Sequence, residues 1–119
     1  MREFIAEMRS ADLSSDYEQK FSEQCDLLLD LTDHIVNQAK QDPEFPGSIS
    51  VDYLDLVGHV VCAWCWALMA SNATGDDFGR AKTIIAQFFY ERLLPRSLGL
   101  AENIRATNNV AMQMPAELF

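Results

Sequence analysis

VDYLDLVGHVVCAWCWALMA, residues 51–70, is apolar around most of its circumference when wound as an α-helix. Tyr53, Val57, Val60, Trp64 and Leu68 mark one face, and Leu54, Val61, Cys65 and Met69 mark another. A helix apolar on two sides is buried on more than one side, so this segment predicts the central helix of an all-α domain. Ser50 can cap its start, Asp52 suits the positive end of the helix dipole, and the pattern runs to about Ser71.

The flanking sequence supplies partners for that helix. Ser15 followed by Glu18 reads as a capping box, opening a helix to about Gln41. Its apolar stripe is Tyr17, Phe21, Leu28, Leu31, Ile35 and Ala39. DPEFPGS, residues 42–48, breaks the chain with two prolines and a glycine, and SNATGDD breaks it again after residue 70. Thr74 to Asp77 can cap a third helix through Leu94, with Phe78, Ala81, Ile85, Phe88 and Arg92 along one face. Pro95 suits the first turn of a short fourth helix to about Thr107. No alternating strand pattern is present. The expectation is an up-and-down antiparallel bundle of three to four helices.

Composition narrows the function. A chain of 119 residues fits one domain, and 49% apolar content excludes intrinsic disorder. The net charge of −9 argues against a nucleic-acid partner or an anionic membrane surface. No uninterrupted apolar run reaches the ~18 residues of a membrane span, and MREFIAEMRS is not a signal peptide. Three cysteines, an odd number, fit a reducing cytosol rather than a disulfide framework.

Cys62 and Cys65 form a C-x-x-C, but about three turns inside an apolar helix with no strand before it. A thiol redox pair sits at a helix start, and a zinc site needs two further ligands at regular spacing. Packing in the core is the simpler expectation for both cysteines. Asp30 with His34, and Asp55 with His59, place a carboxylate and an imidazole on one helix face twice. Two such pairs could hold metal in a stand-alone binding or regulatory bundle, but the later helices offer few further ligands. No phosphate loop, nucleophile–base pair or other catalytic constellation is visible. By itself the chain is expected to be catalytically silent.

Three stretches in order carry a resemblance: YLDLVGHVVCAWCWALMA (53–70), FGRAKTIIAQFFYERLLP (78–95), and the tail with Met112, Met114 and Phe119. Within them the pattern is Tyr53-Leu54, Gly58, Trp64 with Met69, Lys82, Phe88-Phe89, and Arg92 to Pro95. This resembles the C-terminal helical domain of acyl-CoA dehydrogenases of the 3-methylmercaptopropionyl-CoA dehydrogenase type, over roughly residues 13–119. The resemblance implies that residues 1–12 end a preceding dehydrogenase domain, or else form an N-terminal turn, and that residues 13–119 form an accessory bundle. It further implies a parent FAD flavoprotein of fatty acid metabolism, a cytoplasmic oxidoreductase that oxidises the α,β bond of an acyl-CoA thioester. The flavin and the catalytic glutamate would lie outside this chain, which would hold no cofactor, catalytic residue or metal. Its partners would be the preceding domains and further copies of the enzyme. Tyr53, Gly58, Trp64, Met69, Phe88 and Pro95 would then be architectural, with Gly58 admitting a close neighbour helix, Trp64 filling the core and Pro95 turning the chain.

Overall fold

The computed structural model describes residues 1–107 and 110–118. Among them there is no strand, and the chain is an all-α bundle. Helices α1 (Arg2–Arg9), α2 (Ser15–Ala39), α3 (Phe45–Ser48), α4 (Ser50–Ser71), α5 (Asp77–Phe88) and α6 (Arg96–Arg105) follow in order. A π-helical turn, Phe89–Leu93, joins α5 to the residues before α6, and short 3₁₀ turns occupy Val110–Gln113 and Ala116–Leu118.

Three long legs carry the bundle. The Ser14 amide donates to Ser71 Oγ at 2.8 Å, and Thr32 Oγ1 lies 2.8 Å from the Tyr53 hydroxyl, so α2 and α4 run antiparallel. The third leg is α5, the π turn and α6 together. Tyr17 meets Tyr90 with ring centroids 4.9 Å apart, and further along both legs Asp30 meets Arg105 at 3.3 Å. The leg therefore runs parallel to α2 throughout. Pro95 does not reverse the chain; it precedes α6, which continues in the direction of α5. The π turn accompanies this proline. Leu94 donates from its amide to the Phe89 carbonyl at 2.8 Å, five residues back. Pro95 has no amide hydrogen, and its ring would crowd the Glu91 carbonyl in a regular helix, so a widened turn accommodates it.

The core runs through Phe21, Cys25, Leu28 and Leu31 of α2, Leu56, Val60, Ala63 and Ala67 of α4, and Ala86, Phe89, Tyr90, Leu94, Ala101 and Ile104 of the third leg. Residues 1–12, expected as the end of a preceding domain or an N-terminal turn, include α1, which lies on α2 with Ile5 and Met8 each 1% exposed. Arg2 pairs with Asp33, and Arg9 with Asp26, fixing α1 antiparallel to α2. These ion pairs are exposed and contribute little, whereas burying the two apolar side chains is worth roughly 1.5–3 kcal/mol each.

Candidate docking surface

One side of the bundle is apolar and uncovered. On α4 the core stripe Leu56, Val60, Ala63 and Ala67 faces inward. Directly opposite lie Val51, Leu54, Gly58, Cys62, Cys65 and Met69, spaced 3, 4, 4, 3 and 4 residues apart and all exposed, with the exposed Asp55 the one charged side chain among them. Val51 and Leu54 are 71% and 70% exposed. On α5 the inward residues are Gly79 and Ala86, while Phe78, Ala81, Ile85 and Phe88 point out. Small residues on the facing sides of α4 and α5 let the two helices lie close, which leaves their larger apolar residues outside.

The α4 stripe borders the third leg at both of its ends. At one end Met69 and Phe78 share the wall of a groove of about 420 Å³ with Asn72, Ala73 and Lys82. At the other, Leu54, Gly58 and Cys62 border a groove with Phe89, Leu93 and Arg96. Between them the Lys82 ammonium lies 5.1 Å from the Phe78 ring centroid and 5.6 Å from that of Trp66. It lies over the negative π faces of both rings, a cation–π arrangement that holds its charge in the wall of the first groove.

The structure revises several expectations about single residues. Cys62 and Cys65 are exposed on the outer stripe, and only Cys25 is buried. They do not pack the core, because the core meets α4 on a different face. Burial pushes the Cys25 thiol pKa up, against the opposing pull of the nearby Arg9 guanidinium. A Cβ placed on Gly58 meets no described atom within 4 Å, so this glycine admits no close helix. Phe88 is 55% exposed, and Phe89 and Tyr90 occupy the core in its place. Trp64 is half-buried on the flank of α4, with its indole N–H shielded and without a partner among the described residues. Tyr53 is half-buried beside Thr32, Met69 is on the outer stripe, and Pro95 is exposed. The tail residue Met114 is exposed, and Phe119 and the Met112 side chain lie outside the described residues.

The paired carboxylates and histidines are not brought together. Asp30 is engaged by Arg105, and His59 Nδ1 lies 2.8 Å from the main-chain oxygen of Asp55. His34 packs edge-on against Phe45, with ring centroids 5.8 Å apart. Among the described residues no three His, Cys, Asp or Glu side chains gather as a metal site would require. By length and composition α4 is long and apolar enough to cross a membrane, against the expectation from uninterrupted runs. Here it is the helix around which α2, α5 and α6 pack, and its second apolar side is the outer stripe.

Residues 1–115 match the family model described as acetyl-CoA dehydrogenase C-terminal like. The chain belongs to this family. No curated protein matches it, and no solved structure does. As a member of the acetyl-CoA dehydrogenase C-terminal-like family, the chain is an accessory helical domain of the acyl-CoA dehydrogenase group. The matched segment begins at residue 1, so it includes α1 and the ion pairs that seat it on α2. Of the two apolar sides read from the sequence of α4, the first supplies Val60 to the core with Tyr53, Val57 and Trp64 packed against it, whereas Leu54, Cys65 and Met69 of the second are exposed.

Proposed function

We propose that this domain completes an FAD-dependent acyl-CoA dehydrogenase of the 3-methylmercaptopropionyl-CoA type, contributing to assembly rather than to chemistry. The family match across nearly the whole chain carries this reading. The parent would be a cytoplasmic flavoprotein of fatty acid metabolism that oxidises the α,β bond of an acyl-CoA thioester. Its flavin and general base would lie in domains preceding residue 1. The uncovered α4–α5 side supports an assembly role, since large contiguous apolar patches on a domain mark interaction sites.

The experiment is to express the natural open reading frame containing this chain, with and without residues 1–119. The full product should be yellow and should reduce an electron-accepting dye when given an acyl-CoA. The truncated product should lose flavin or aggregate on mild heating. A reading frame without dehydrogenase domains, from a locus encoding none, would overturn the proposal.

A further inference from the structure

We infer that the outer stripe of α4 is a self-recognition surface on which a second copy of this chain docks antiparallel. Three observations favour that occupant. The first is the order of side-chain size along the stripe. Large residues sit at its ends, Val51 and Leu54 at one and Met69 at the other, with Gly58 and Cys62 in the middle. A two-fold axis through the level of residue 60 sets Val51 of one copy against Met69 of the other. The same axis sets Gly58 against Cys62, so the helices cross closely where both are small and interlock where they are large. Open space around a Cβ at Gly58 leaves this crossing point free for another chain.

The second observation is charge. Residues 1–44, which form α1 and α2, hold eleven of the eighteen acidic side chains and four of the nine basic ones. The excess negative charge therefore lies on α1 and α2. The α4 stripe carries a single charged side chain from Val51 to Met69, the exposed Asp55, which shares a groove with Arg96, and Lys82 flanks the other end on the third leg. Docking stripe to stripe joins the least charged sides of two acidic molecules and turns their acidic sides away, so the net −9 does not oppose it strongly.

The third is extent. The stripe spans 19 residues, Val51 to Met69, about 27 Å of helix. Val51 is 71% and Leu54 70% exposed at one end, and Met69 37% with its neighbour Phe78 69% at the other, so large apolar side chains are available along its whole length to a standard interface, which takes ~800 Å² per partner. The pairing is isologous, as most homodimer contacts are. It needs only this chain, so it stands or falls apart from the enzyme assignment.

Sedimentation of the full 119-residue chain over a range of concentrations tests it, beside Leu54→Glu and Val51→Glu. Leu98→Glu serves as a control, because Leu98 is 61% exposed on the α2 side of α6. Wild type and control should dimerise alike, and each stripe variant should dissociate at least tenfold more readily with unchanged circular dichroism. A chain keeping only Cys62 should cross-link through a short bis-maleimide when dimeric, and one keeping only Cys25 should not. A monomer at the highest concentration reached, or a dimer broken by Leu98→Glu and not by Leu54→Glu, would overturn the inference. So would a monomer that binds purified dehydrogenase domains through Leu54, an outcome that leaves the proposed function standing.

Discussion

At the scale of single residues, Gly79 and Tyr90 show what burial in this bundle costs and gains. A Cβ on Gly79 would fall 1.9 Å from the Thr74 carbonyl oxygen, and the obstructing atom is backbone, which cannot swing aside. Gly79→Ala should therefore lower stability by about 1–3 kcal/mol, as overpacking does, in a urea titration. Gly99 lies in α6 with nothing described within 4 Å of such a Cβ. Gly99→Ala should raise stability by roughly 0.4–1 kcal/mol in the same assay, because it restricts only the unfolded chain. Tyr90 is buried and donates its hydroxyl to the Ala63 carbonyl at 2.9 Å. Desolvation, and then proximity to Tyr17 and Cys25, push its pKa far above the ordinary tyrosine value. The folded state thus favours the neutral phenol. That preference is fully present below the unfolded pKa near ~10 and is lost as pH rises toward the folded value. Tyr90→Phe should cost about 0.5–1.5 kcal/mol at neutral pH and move alkaline unfolding to higher pH, as monitored by circular dichroism.

At the scale of elements, helix starts and the docking of α1 separate local signal from tertiary consequence. The sequence places a cap near Thr74 to Asp77, and the structure assigns it to Asp76, whose carboxylate accepts from the Gly79 amide at 2.8 Å. Thr74 Oγ1 donates to the same oxygen at 2.7 Å, and this bond, then the Gly79 amide, lowers the Asp76 pKa. The contribution is present above the unfolded carboxylate value and lost as pH falls through the folded one. Asp76→Ala should therefore lower the melting temperature at pH 7 and have little effect near pH 2. Helix α1 is too short to be stable alone, although its first-turn Glu3 and last-turn Arg9 suit the helix dipole. Docking Ile5 and Met8 on α2 is what holds it. Ile5→Ala should cost about 2–5 kcal/mol in a thermal melt, and deleting residues 1–10 should expose the α2 face beneath and destabilise the whole bundle.

The whole molecule is a flattened bundle, 15 Å across its thinnest Cα dimension, with a radius of gyration of 17.5 Å. A compact 100-residue domain has about 13 Å. So open an arrangement leaves one side of α4 and α5 without a covering layer, and the inferred second copy supplies it. Because a partner that binds only the folded state stabilises it by mass action, the melting temperature should rise with protein concentration. That rise should vanish in Leu54→Glu, as read by scanning calorimetry over a hundredfold concentration range.

The amino-acid sequence by itself determined that this chain is helical, where its helices begin and break, and which helix is central. Those features follow from proline, glycine, caps and apolar period, which act within a few residues. The resemblance carried by residues 53–70 and 78–95 also points to the acyl-CoA dehydrogenase group. Only the tertiary structure decided which apolar face of α4 and α5 turns inward. The sequence of α4 offered two without a choice between them, and on α5 apolar period alone favoured the face with the larger side chains, Phe78, Ile85 and Phe88. Close packing reversed that choice: Ala63, Ala67, Gly79 and Ala86 allow near approach of the helices, and the widened turn before Pro95 brings Phe89 and Tyr90 into the core. Phe78, Phe88, Cys62 and Cys65 remain outside, because helix periodicity records that a face is apolar but not what lies against it.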